Sequence, residues 1–164
     1  MKKQRWAALF LILLVLTGCG DRVCTDEEIN APNPDLRNCD FTGADLSERD
    51  LRGADLSGAV LIYANLRGAD LTGAKLPSRF AKAADLLTSG NGAGQDFSGW
   101  DLSSMNLEGV DLRQANLAGC NLRRSYLEGA NLTGADLSGA DLTHARVSKE
   151  QLDTAKSLKD AILP

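Results

Sequence analysis

Acidic side chains recur in this 164-residue chain at a spacing that invites a chemical reading: Asp45, Asp55 and Asp70, then Asp101, Asp111, Asp136 and Asp141, fall on multiples of five within each half. Carboxylates brought together can do general acid–base work or collect a cation. Here, however, each directly precedes a leucine, and Asn alternates freely with Asp at the same place, as in Asn116 and Asn131. That pattern predicts side chains that accept hydrogen bonds from turn backbone. Glu108 and Glu128, twenty residues apart, are expected to share a solvated face. The single histidine, His144, is expected to point outward, and no nucleophile–base pairing of recognisable kind accompanies it. Gly90, Gly92 and Gly94 do not complete a G-x-G-x-x-G phosphate cradle, and no lysine follows them. Asn91 to Asp96 nearly matches a G-G-x-G-x-D calcium repeat, with Asn91 in place of the first glycine, but there is one copy where a cage needs several. The expectation is no catalysis, no cofactor and no metal.

What positions these residues is a leucine that returns every fifth residue. One tract runs Leu36, Phe41, Leu46, Leu51, Leu56, Leu61, Leu66, Leu71, Leu76; a second runs from Phe97 through Leu102, Leu107, Leu112, Leu117, Leu122, Leu127, Leu132, Leu137 and Leu142 to Val147. A period of five fits neither a helix nor a flat strand. Tandem short repeats of this kind mark solenoids, in which only stacking on neighbours completes a core. The A-[DN]-L-x-x pattern, clearest in Ala130 to Leu142, resembles the pentapeptide-repeat family. That resemblance implies an all-β fold, a right-handed quadrilateral β-helix of about five coils, each side of the square one pentapeptide. It also implies that the central Leu and the residue two before it point inward. Alanine dominates this second inward position (Ala54, Ala64, Ala115, Ala135), and Gly43, Gly53 and Gly134 stand where a corner needs unusual backbone angles.

Residues 1–18 read as an export signal, with Lys2, Lys3 and Arg5 ahead of an apolar run from Trp6 to Leu16 that is too short to span a bilayer. The run ends in Leu16-Thr17-Gly18-Cys19, which resembles the bacterial lipobox and implies lipidation of Cys19. Loss of the signal removes three basic residues and no acid, taking the formal charge from −4 to −7. An acidic surface disfavours nucleic acid as a direct ligand, and the arginines fall on several faces without forming a basic stripe.

The remaining boundaries follow from breaks in the period. Residues 19–33 read as a tether, 34–76 as the first tract, 77–96 as an insert, 97–147 as the second tract and 148–164 as a C-terminal cap. Cys24 and Cys39 form a candidate disulfide that would tie the tether to the first coil, with free thiols as the alternative; Cys120 takes an inward alanine position and is expected to be a small buried residue. Arg49 also falls on an inward position, from which it must snorkel out unless the coil is irregular there. Within the insert Phe80, Ala83, Ala84 and Leu87 have helical spacing, and 89–94 reads as flexible loop. The second inward positions that follow hold Gln95, Trp100, Met105 and Val110, so that coil is expected to be widened. Ser148 and Gln151 stand at capping-box positions for a short helix closing the rod.

Together these features predict a non-catalytic, membrane-anchored envelope lipoprotein, on the periplasmic side of the outer membrane in a Gram-negative host. Its rigid faces would contact another envelope protein, whose identity and whose stoichiometry the residues leave open. The alternative implied by the resemblance is an acidic DNA mimic that binds DNA gyrase, as quinolone-resistance members of the family do. The export signal weighs against it.

Overall fold

Each five-residue unit closes with the same turn. In the first, the Cys39 N–H donates to the Leu36 carbonyl at 3.2 Å and Asn38 takes φ 57°; in a later one, the Cys120 N–H donates to the Leu117 carbonyl at 3.1 Å and Gly119 takes φ 66°. A turn with positive φ at its third residue is type II, which explains the glycines at this position. Where a side chain stands there instead, as at Glu48, Tyr63, Gln114, Arg124 and His144, it carries the same φ of 57–58°. The computed structural model describes residues 22–164; the export signal at 1–18 and the lipid acceptor Cys19 lie outside the described residues.

Four such turns bring the chain back over itself. Parallel bridges join residues twenty apart, from Asp35–Asp55 to Asp55–Lys75 in the first tract and from Asn91–Asp111 to Tyr126–Arg146 in the second. Each side is one bridge wide, held by pairs such as the Leu117 N–H to the Asp136 carbonyl at 2.8 Å. The result is a parallel β-helix. The central leucines stack along its interior, with Leu51, Leu56, Leu102, Leu112, Leu117 and Leu137 fully buried, and Ala54, Ala115, Ala135 and Ala140 fill the second inward column. Each fully buried leucine contributes about 1.5–3 kcal/mol of apolar burial before chain entropy is counted.

Both ends carry more structure than a bare coil. Residues 22–33, read above as a tether, form a lower cap. Helix α1 (Asp26–Ile29) has a reciprocal Thr25–Glu28 capping box, buries Ile29, and is joined to the first coil by the Arg22–Cys39 bridge and the Cys24–Cys39 disulfide, with Cα atoms 5.6 Å apart. Arg49 leaves the interior through this end: its guanidinium donates to Asn30 Oδ1 at 3.1 Å and Asp26 Oδ1 at 3.3 Å. A charge at an inward position is thus tolerated because no coil lies beneath it. At the other end, helix α3 (Lys149–Leu152) follows a second box, Ser148–Gln151. Gln151 Nε2 donates to the Leu127 and Ala130 carbonyls at 2.7 and 2.8 Å, fixing the helix to the rod. Beyond it the ladder resumes with bridges Asp136–Ser157 and Asp141–Ile162. The described helix in the middle is α2 (Ser78–Ser89), after which the second ladder starts at Asn91. The insert is therefore shorter than the expected 77–96, because residues 90–94 form a coil side.

Candidate functional site

Helix α2 exists because the ladder stops at Pro77, which has no N–H to offer and stands as the N-cap. The twelve residues that follow place Phe80, Ala83 and Leu87 on one face, with Leu86 beside them, and all four are buried. Gly90 ends the helix in a left-handed conformation, φ 66°, its N–H bonded to the Leu86 carbonyl at 2.9 Å. The next unit puts Gly92 where the others put leucine. A Cβ there would come within 2.8 Å of Leu86 Cδ1 and of the Phe97 ring. The helix and the following coil already fill that space, so the leucine period vanishes for one unit while the fold continues.

The two tracts meet differently on opposite sides. On the closed side they touch directly. The Tyr63 N–H donates to the Ser104 carbonyl at 2.9 Å, the Tyr63 ring stacks on Tyr126 with centroids 4.4 Å apart, and the Arg146 guanidinium lies 4.0 Å above Tyr126. Arg67 passes between the tracts, against Gly90, and donates to the Gly109 carbonyl at 3.3 Å; a Cβ on Gly90 would overlap its guanidinium. On the open side α2 lies between the tracts and is fastened to the second. Arg79 donates to the Ser103 carbonyl at 3.1 Å, and Lys82 sits 4.3 Å over the Trp100 ring, which meets Phe97 edge-on at 5.0 Å.

Against the first tract the helix leaves a groove of about 450 Å³, lined by Ala69, Asp70, Leu71, Thr72, Ala74, Leu76, Ala81, Ala84, Asp85 and Thr88. Leu71, Ala74 and Leu76 occupy inward positions yet are only half-buried, because a helix and not a coil roofs them. The groove is acidic. Its lining includes Asp70 and Asp85 and no cation, and Asp70 is held below the usual carboxylate range by hydrogen bonds from Thr72, with Arg52 3.7 Å away. A second groove, of about 520 Å³ at the lower cap, is lined by Asn30 to Asn33, Asp50 and Arg52; its two charges satisfy each other at 2.8 and 2.6 Å.

The residues that first suggested chemistry are spread along the rod. The acidic ladder is turn chemistry: Thr42, Ser47, Ser57, Thr72, Ser103 and Thr143 each donate a backbone N–H to the Asp two places earlier, and Ala118 does the same to Asn116. Hydrogen bonds from Thr143 and then Arg123 hold Asp141 at about 2. Asn91 and Asp96 serve separate turns, accepting from Ala93 and Ser98, and do not converge. His144, Glu108 and Glu128 are exposed, Glu128 beside Arg146 at 3.7 Å. Cys120 is buried and its thiol donates to the Phe97 carbonyl at 2.8 Å; burial pushes its pKa up to about 11. Gln95, expected inside, is exposed, and its amide donates to the Asn91 carbonyl at 3.2 Å. Trp100 is half-buried, while Met105 and Val110 are inside. The widening expected there is instead an opening onto α2. Among the described residues no group of three or more His, Cys, Asp or Glu could hold a metal ion. The groove itself was not read from sequence. Its signal is a helix-length break followed by Asn91-Gly92-Ala93-Gly94, a repeat unit with glycine in the leucine position.

A family model for pentapeptide repeats matches residues 35–76, 96–133 and 111–148, more than half of the chain. Among solved structures, a pentapeptide repeat protein from Nostoc PCC 7120 is 33% identical over 79% of this chain and 84% of its own, with a TM-score of 0.35. One from the Arabidopsis thaliana thylakoid lumen is 28% identical over 73% and 72%, TM-score 0.31. A plasmid-mediated fluoroquinolone resistance protein is 16% identical over 81% and 66%, TM-score 0.41. No curated protein matched significantly.

Proposed function

Since this chain belongs to the pentapeptide-repeat family, whose fold presents rigid faces and no built-in chemistry, we propose that it is a non-catalytic, lipid-anchored scaffold for protein–protein contacts in the bacterial cell envelope. In this reading the rod is a right-handed square helix of about five coils between two end caps. Cys19 carries the lipid, and the anchor holds the rod on the periplasmic side of the outer membrane in a Gram-negative host. The observation that carries the proposal is the N-terminal sequence, Lys2 to Cys19, joined to a rod whose regularly spaced carboxylates are committed to its own turns. A cross-link from Cys24 to Cys39 supports an oxidising address, where disulfides persist. The gyrase-binding alternative draws on the net acidic charge, but the one resistance protein described above shares only the fold at its level of identity.

Fractionation of cells carrying the native chain or Cys19→Ala, with lipid labelling, tests the address. The expected result is a labelled, membrane-bound native protein and an unlabelled variant released from the membrane. Both forms soluble in the cytoplasm would overturn it and bring the gyrase reading forward.

A further inference from the structure

The lowest edge of the rod is closed by chain that begins almost at the proposed lipid acceptor. At Leu71 and Gly73, on the side roofed by α2, the backbone N–H groups have no backbone partner among the described residues. At the bottom of the first coil the edge is instead taken up by Arg22, whose N–H donates to the Asn38 carbonyl at 3.3 Å and whose carbonyl accepts from the Asp40 N–H at 3.0 Å. Two residues on, Cys24 is cross-linked to Cys39. From Cys19 to Arg22 is only three residue steps, a reach of at most about 11 Å of extended chain. An acyl chain on Cys19 therefore cannot enter a bilayer without bringing the lower cap to its surface.

That cap differs from the sides of the rod in the two properties to which a lipid surface responds, apolar exposure and charge. Val23 is 66% exposed, the most accessible large apolar side chain among the described residues. Glu28 is balanced by Arg22, and Asp26 by Arg49 at 3.3 Å, which leaves Glu27 as the cap's one carboxylate without an ion-pair partner among the described residues. The sides of the rod carry Glu48 and Glu108, exposed and equally without a partner there, so a rod lying flat would press uncompensated carboxylates onto headgroup phosphates. We propose that the lower cap is a lipid-facing surface: the short link from Cys19 seats it on phospholipid headgroups, Val23 enters the interface, and the rod stands end-on. The inference rests on the lipidated reading of Cys19 and goes beyond it by fixing which end meets the membrane and how high the scaffold faces stand. The pairings Arg22–Cys39, Asp40–Val60, Tyr63 to Ser104, Asp101–Asn121, Asn121–Asp141 and Asp141–Ile162 climb the rod in steps of about 4.8 Å, which places Ile162 roughly 29 Å above Arg22. Ile162, 56% exposed, thus marks the far end.

The test is tryptophan quenching in the acylated protein, purified from membranes and reconstituted into phosphatidylcholine vesicles whose acyl chains carry bromine near the headgroup. Trp6 leaves with the signal, and Trp100→Phe keeps an aromatic ring against Phe97, so a reporter added at either end stands alone. Val23→Trp is expected to be quenched about twofold, and Ile162→Trp, at a comparably exposed position, not at all. Because both reporters carry the same ring, any affinity of tryptophan itself for lipid acts equally at the two ends. Inserting about ten glycine and serine residues after Gly20 adds roughly 17 Å of reach and should remove most of the quenching at Val23→Trp. Equal quenching at the two ends would overturn the proposal, because the rod would then lie on its side. So would an unquenched Val23→Trp reporter, or quenching that the insertion leaves undiminished. Vesicle flotation and fatty-acid labelling separate this result from the anchor reading: a protein that floats and is labelled but shows no quenching at Val23→Trp loses the seat and keeps the anchor, whereas one that neither floats nor is labelled loses both.

Discussion

The seam inside the second tract and the seam between the two tracts are made from the same repeat, yet they bury their contents to different degrees. Within the second tract each leucine is covered above and below, and Leu112, Leu117 and Leu122 are completely inaccessible. Between the tracts Leu71 and Leu76 stand half-open under a helix. The unit sequence is therefore not what buries a residue in this fold; the coil stacked above it is. Where a helix substitutes for that coil, the backbone edge and the interior become surface together.

The sharpest break of this comparison is a pair of truncations. Leu117→Ala should destabilise the protein by about 2–5 kcal/mol, since the coils on either side cannot collapse into the cavity. Leu71→Ala, already half in solvent, should cost about 1 kcal/mol. Urea unfolding of both variants checks this, and equal losses would mean that α2 seals the groove as a coil would. The next is Gly92→Leu, which restores the repeat's own consensus. Because its side chain would collide with Leu86 and Phe97, it should destabilise by about 1–3 kcal/mol. Leu86→Ala in the same chain should recover part of the loss, and a stabilised single variant would show that the site has room after all.

The smallest effect concerns the turns, which both seams share. Hydrogen bonds to the carboxylates, from Arg52 and Thr143 first, lower the folded-state pKa of Asp50 and Asp141 to about 2, from an ordinary aspartate's 3.8. A depressed carboxylate contributes stability above its unfolded pKa and loses it as pH falls through the folded one. Melting temperature should therefore drop between about pH 4 and pH 2. Asp141→Asn, which keeps a neutral acceptor for the Thr143 N–H, should flatten that drop, whereas Asp141→Ala should lower the melting temperature already at neutral pH. An unchanged acid profile in Asp141→Asn would assign the pH dependence to other carboxylates.

Much of this was legible in the residues. The leucine spacing identified the solenoid, the Asp–Asn alternation identified turn acceptors, and the Ser148–Gln151 pair marked a helix that the structure places at that position. The misreadings have a common cause. The unit at 90–94 looked like a loop because steric crowding from Leu86 and Phe97, residues distant in register, requires glycine at position 92. Gln95 looked internal because its register position is internal wherever a coil lies beneath, and none lies there. Residues 22–33 looked like a tether because one helical turn is too short to show a period, and Thr25 with Glu28 was the overlooked mark of α1. The edge at Leu71 and Gly73 could not be seen at all, since an unpaired N–H is a property of what fails to stack upon it.

The hydrogen bond from Tyr63 to Ser104 spans two coils and one extra residue, so the faces of the two tracts keep the same phase across the interruption. This sets a rule for inheritance. Duplication or loss of twenty residues lengthens or shortens the rod and leaves every later side chain facing as before. Duplication of a single pentapeptide, the slip that repetitive DNA most readily allows, turns everything downstream by a quarter of a revolution. It would swing Arg123 and Arg124 to a neighbouring face and separate Tyr126 from Tyr63. In a lineage of such proteins, whole-turn changes in length should survive where quarter-turn changes are purged.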